Sequence, residues 1–245
     1  DNAGQVSGLA EWRERSVSDL AWTADGHHLT VAGYDTINLY QIDTRELLRT
    51  LHPKNPGIVD IAFSPGGSWL VAGCRRGDEA TGYASSLELW AGPNWKPLGI
   101  LYGAPIGLNA ITFMPDGAMF AAAYSSPANQ NINTIDFWQT STWTINTSAD
   151  TGAALDLAFS PDSRLLAVSP DRYAIMIWDL TQHILLFRFP TSFTGAVNTM
   201  IFSPDGSTLA TGHYDGIVRL WDVISGKVLQ EFDTGSVVQS LALNP

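Results

Sequence analysis

Three aspartates occupy matching places in short apolar phrases: Asp19 in "SDLAW", Asp60 in "VDIAF" and Asp156 in "LDLAF". Carboxylates that converge in a fold can bind a metal or move protons. No Glu or His accompanies these three, which weakens that reading. Cys74 is followed by Arg75-Arg76. Neighbouring cations lower a thiol pKa and would make the sulfur reactive. The competing reading is a small apolar filler at a strand end. The five histidines are His27, His28, His52, His183 and His213. His27-His28 falls in a turn region, and no metal-ligand spacing accompanies it. Asp25, Asp116, Asp162 and Asp205 each sit in a turn phrase, which accounts for them structurally. There is no Gly-x-Gly, no Asp-x-Asp, no His-Glu-x-x-His and no Gly-x-Ser-x-Gly. No catalytic, cofactor-binding or metal-binding residue is assigned, and no cofactor is expected.

The elements that carry these residues repeat. "VNTMIFSPDGSTLATG" from Val197 has counterparts from Val17, Val59, Leu108 and Ala154. Each is followed by a second pair of hydrophobic runs: "INLYQI", "LELWAG", "IDFWQT", "IMIWDL" and "VRLWDV". The aromatic residues before the first turn are Trp22, Phe63, Phe113, Phe159 and Phe202, so the period lies between 41 and 50 residues. Alternation of apolar and polar positions predicts strands. Turns of the Ser-Pro-Asp-Gly type at 23–26, 64–67, 114–117, 160–163 and 203–206 predict hairpins. Each repeat therefore predicts one four-stranded antiparallel sheet. Its two bare faces are buried only by stacking on further copies around an axis.

The Trp178-Asp179 and Trp221-Asp222 pairs, with their preceding turns, resemble the WD-repeat β-propeller family, of the bacterial type. The resemblance covers nearly the whole chain. It implies an all-β propeller of four-stranded antiparallel blades, with five full repeats near 17–52, 58–102, 108–148, 153–190 and 196–233. Single strands are expected near 5–12 and 237–244, and the chain, 1–245, reads as one domain. The resemblance also implies part of a seven-bladed ring, with Trp221 packed between blades. The pair is degenerate in the first three copies, and the family's Gly-His dipeptide is missing, with His52 its nearest relic. Asp215, Thr211 and Trp221 supply part of the family's buried polar network in the last copy, leaving it without a histidine. Trp90, Trp138, Trp178 and Trp221 share one repeat position and read as core. Trp12, Trp69, Trp95 and Trp143 lie off it.

The formal charge is −11, with 13 Lys and Arg against 24 Asp and Glu. That balance argues against nucleic acid as a partner. No apolar run approaches a membrane span, so no membrane insertion is expected in this segment. Two adjacent repeats carry longer connections between second and third strands, at 74–86 and 124–134. Loops on a rigid scaffold commonly carry binding. The face bearing them is expected to present Tyr34, Arg75, Arg76, Tyr83, Tyr124, Arg172, Tyr173, His213 and Tyr214 to a protein or peptide, one of acidic or mixed charge. The expected function is a non-catalytic scaffold docking a partner on that face. The alternatives are a hydrolase- or lactonase-like propeller, with Asp19, Asp60 and Asp156 at a central channel, and a sensor domain of a larger protein.

Overall fold

The computed structural model describes residues 17–78, 82–104, 106–125, 133–149, 154–171, 174–190 and 195–241. They form five antiparallel four-stranded sheets, with no helix among them. Blade 1 holds β1 (Asp19–Trp22), β2 (His28–Ala32), β3 (Ile37–Gln41) and β4 (Leu47–Leu51). Blade 2 holds β5 (Ile58–Phe63), β6 (Trp69–Asp78), β7 (Gly82–Ala91) and β8 (Lys96–Leu101). Blade 3 holds β9 (Gly107–Phe113), β10 (Met119–Ser125), β11 (Asn133–Gln139) and β12 (Thr144–Ala149). Blade 4 holds β13 (Leu157–Phe159), β14 (Leu165–Asp171), β15 (Ala174–Asp179) and β16 (Ile184–Pro190). Blade 5 holds β17 (Val197–Phe202), β18 (Thr208–His213), β19 (Ile217–Asp222) and β20 (Val228–Asp233). Within each sheet the strands lie in chain order, and successive inner strands β1, β5, β9, β13 and β17 pack side by side.

Local chemistry sets the first hairpin of each blade. The hydroxyls of Thr23, Ser160 and Ser203 donate to Asp25, Asp162 and Asp205 at 2.5–2.6 Å. The same carboxylate oxygens accept the N–H of His27, Arg164 and Ser207. These bonds hold the carboxyls of Asp25 and Asp205 down to about 2. Gly26, Gly67, Gly117 and Gly206 take the left-handed conformation that returns the strand, and Ser163 adopts it at φ 60° in the fourth copy.

The second turn has its own repeated geometry. Arg45, Trp95, Trp143, His183 and Gly226 each follow the third-strand aromatic by five positions and are all left-handed, with φ between 47° and 64°. Trp95 meets Phe63 edge-on at 5.3 Å. Trp143 meets Trp69 edge-on at 5.3 Å and lies 6.2 Å from Phe120. Trp95 and Trp143, which fell outside the repeat pattern, thus lie over the grooves between blades, Trp143 on Trp69, while Trp12 lies outside the described residues.

The core lies between blades, not inside them. One cluster joins Ala32 and Ile37 of blade 1 to Ile61, Leu70 and Trp90 of blade 2. Others join Val71 and Leu89 to Phe113 and Trp138, Ala121 and Phe137 to Phe159 and Leu166, and Ile175 and Phe189 to Phe202 and Trp221. Trp221 stacks on Phe189 of the preceding blade at 6.1 Å and 9°. Trp22, the counterpart of Phe202, has no preceding blade against it among the described residues and is 55% exposed, whereas Phe202 is 6% exposed. Leu20 shares that face and is also exposed. Burying such a side chain stabilises by about 1.5–3 kcal/mol, so position in the ring decides whether the repeat's aromatic contributes to stability.

The polar network of blade 5 differs from the sequence expectation. His213 Nδ1 lies 2.8 Å from the Gly195 carbonyl. A carbonyl only accepts, so Nδ1 carries the proton and Nε2 is an acceptor. The Thr211 hydroxyl donates to Nε2 at 2.7 Å and accepts the Trp221 Nε1–H at 2.8 Å. The missing histidine is therefore supplied from the end of β18, the blade's second strand. Asp215 pairs instead with Arg219 at 3.1 Å. The expected first strand near 5–12 lies outside the described residues. Residues 237–241 form no strand. Val238 donates to the His213 carbonyl and is buried where a Cβ on Gly212 would stand, and no further ladder bond forms because no adjacent strand is present among the described residues.

Candidate functional site

The connections between second and third strands share a face with the connections leading into the next blade. The Tyr34 carbonyl accepts from Gly57 and Ile58, Arg75 N–H bonds the Gly57 carbonyl, and Tyr214 N–H bonds the Ala196 carbonyl. Backbone bonds to the segments that enter the same or the next blade thus fix the loops of this face. Tyr34 and Tyr214 stand on it, 63% and 53% exposed.

The other predicted anchors are distributed differently. Tyr124 and His213 are fully buried, so neither is a surface anchor. The register explains why: Phe120 and Leu209 pair with the third-strand tryptophans, which makes Tyr124 and His213 the same late position of the second strand. Cys74 holds that position in blade 2, where Leu70 pairs with Trp90. A strand that runs on past its apolar stretch turns this residue into the interface with the preceding blade. Cys74 is buried as well, and burial together with the nearby Glu88 carboxylate pushes its thiol up to about 12. The Arg75-Arg76 pair therefore does not activate it. Burial, then Asp136, likewise raises the Tyr124 phenol.

The insertion at 74–86 is not a loop. β6 and β7 continue as a ladder to Asp78↔Gly82, so the second blade carries a hairpin arm. At its base, Arg75 donates to the Leu108 carbonyl and to Asn109 Oδ1, the latter at 2.7 Å. Ser85 Oγ donates to the Ile106 carbonyl and accepts the Leu108 N–H. Arg75 thus ties blade 2 to blade 3, and the cationic anchor expected there is engaged internally. The side chains of Arg76 and Tyr83, all of Arg172 and Tyr173, and residues 126–132 of the third blade's insertion lie outside the described residues.

At the centre of the same face, a cavity of about 560 Å³ is bounded by Asp19, Asp60, Asn109, Asp156 and Asn198. Each of these side chains reaches the next blade or segment. Asp19 accepts from Ile61 N–H at 3.0 Å, Asp60 from Ile111 N–H at 2.5 Å and Asp156 from Met200 N–H at 2.6 Å. Asn109 donates to the Ala154 carbonyl at 2.8 Å and Asn198 to the Val238 carbonyl at 2.9 Å. Burial raises the Asp60 carboxyl well above the usual range, and the adjacent Asp19 adds to the shift. Burial raises Asp156 to about 6, against the N–H bonds that oppose it. Among the described residues, no three His, Cys, Asp or Glu side chains group as metal ligands would. Chemically, the mouth of the channel is a ring of polar side chains, each of which commits one oxygen or amide to the next blade or segment. Sequence reasoning had the three aspartates but not Asn109 and Asn198. A polar residue three or four places before every first-turn aromatic was the available signal.

The fold and this face define a propeller built from repeated four-stranded blades, with the connections between second and third strands on one face. Residues 45–78 and 185–222 match the family model described as WD domain, G-beta repeat. The second match runs from the outer strand of blade 4 through Trp221-Asp222 of blade 5, so the sequence repeat is staggered by one strand from the blade. No curated protein matches the chain. The matched segments and the five blades together support a WD-repeat propeller protein.

Proposed function

We propose that this chain is a non-catalytic scaffold that docks a protein or peptide on the face carrying Tyr34 and Tyr214. One observation carries this reading. Two exposed tyrosines project from loops whose backbones are pinned to neighbouring elements, around a polar channel mouth. Tyrosine is an efficient anchor because it offers large area at low conformational cost. The bonds from Asp19, Asp60 and Asp156 to backbone N–H groups support the scaffold over a hydrolase at the channel, because they give the carboxylates a structural task. With Arg75 engaged, the described side chains favour a peptide that offers hydrogen-bond donors or a basic group to the mouth, not an acidic one. The test is calorimetric titration of a partner isolated by cross-linking in the native source. Tyr34→Ala and Tyr214→Ala should each weaken binding by about 1 kcal/mol or more. Unchanged affinity in both variants rejects this face.

A further inference from the structure

The four grooves between blades, on the side where the second turns lie, are not alike. In the groove between blades 1 and 2 the Trp95 indole stands against Phe63 and borders the hollows on both of its sides. Between blades 2 and 3, Trp143 packs on Trp69 and Phe120. Between blades 4 and 5 the turn residue is Gly226, and the Phe189 ring takes the space a side chain there would need. Three grooves thus receive an aromatic ring from the chain itself. Between blades 3 and 4 the turn residue is His183, with the same left-handed backbone as Trp95 and Trp143. A hollow of about 210 Å³ lies beside it, walled by Met119, Phe137, Leu166, Trp178 and Leu180.

We infer that the groove between blades 3 and 4 is a receptor for one aromatic side chain presented by a partner polypeptide. The occupant follows from the sibling grooves, where indole or phenyl rings lie over the same repeat architecture. The walls are mostly apolar, the Asp179 carboxylate among them being held by Arg164 and Thr181 and the Trp178 Nε1–H standing unpartnered, while the exposed Asn146, Thr147 and His183 at the lip can meet the backbone that delivers the ring. An apolar hollow with a polar lip fixes an anchor by burial and orients it by hydrogen bonds. This site lies away from the tyrosine-bearing face, so it would hold a second point of the same partner or a different one.

The probe is N-acetyltryptophanamide, with N-acetylalaninamide as control, followed by saturation-transfer NMR on the whole chain. The indole probe should bind with a Kd in the millimolar range or tighter, and the alanine probe should give no transfer. His183→Trp copies what blades 2 and 3 already do, so the backbone accepts it. It should fill the groove, weaken the probe at least tenfold and raise the melting temperature. His183→Ala leaves the groove open and should retain the probe. Ala149→Phe, from the opposite wall, should block it independently of any fold defect in His183→Trp. Equal transfer from wild type and from folded His183→Trp or Ala149→Phe would overturn the inference, as would no transfer from wild type.

Discussion

Replacing Thr211 by Val tests how much of this fold rests on buried polar ties. The Thr211 hydroxyl is the centre of a three-member chain: it accepts from Trp221 Nε1 and donates to His213 Nε2. All three side chains are buried. Valine keeps the branch at Cβ but leaves one buried donor and one buried acceptor unpaired. Each orphan costs about 1–3 kcal/mol, and partial relaxation of the ring positions puts the expected loss at about 2–4 kcal/mol. Blade 4 supplies the reverse experiment. Val168 occupies the place of Thr211, pairing with Met176 as Thr211 pairs with Arg219, and Trp178 Nε1 has no partner. Val168→Thr should give that N–H an acceptor and stabilise the protein by about 0.5–1 kcal/mol. Denaturant titration followed by far-ultraviolet circular dichroism reads both midpoints. A Thr211→Val midpoint within about 0.5 kcal/mol of wild type refutes the reasoning, as does a Val168→Thr variant that loses stability.

Two further outcomes follow from the same contacts. Asp156 titrates near 6 in the fold against an ordinary 3.8, so its contribution is fully present below about pH 4 and is lost as pH rises through 6. Two pKa units correspond to about 3 kcal/mol, and solvent in the channel should screen this to about 1–2 kcal/mol. His213, whose pKa burial lowers, contributes in the opposite sense: stability present above its ordinary 6.5 declines as the pH falls. Asp156→Asn should reduce the slope of a stability profile between pH 4.5 and about 7 by the Asp156 share, leaving that of Asp60, and an unchanged slope would contradict the assignment. Finally, Leu20 and Trp22 leave an apolar sheet face open on blade 1, which favours self-association. Light scattering should show smaller species for Leu20→Ser with Trp22→Ser than for wild type, and equal masses would show that this face is not the contact.

Much of the architecture is legible because each blade repeats the same local chemistry. The first-turn aromatic and the left-handed turn residue recur at fixed offsets in all five blades, the hydroxyl-to-aspartate bond in blades 1, 4 and 5, and period-2 alternation marks most strands. What misled was the end of the second strand. Cys74, Tyr124 and His213 follow small residues and precede no strong apolar run, so they read as loop. Only the pairing of Leu70, Phe120 and Leu209 with the following tryptophans shows that they still belong to the ladder and face inward. The channel ring was half legible for a similar reason. Asp60 lies directly after a bulge, whereas Asn109 and Asn198 are themselves the extra residue. The column therefore slips by one place when counted from the aromatic. Trp95 and Trp143 were opaque because their role depends on a neighbouring blade that no local pattern names.

The ties between inner strands have a consequence for how such a chain tolerates change. In every blade, the residue that reaches across is a short polar side chain, and what it grips on the neighbour is main chain: the N–H of Ile61, Ile111 or Met200, or the carbonyl of Ala154 or Val238. Main chain is the same whatever side chain it bears. A blade therefore asks nothing of its neighbour's side chains at this point, only that main chain be present at the right place. Drift of the Trp-Asp pair to Tyr40-Gln41 or Trp90-Ala91 leaves the attachment intact. A copy gained by duplication would arrive with its own grip and could be held by whichever blade precedes it. Blade number and blade sequence are thereby separable, which lets the outer surface diversify while the hub keeps one rule of assembly.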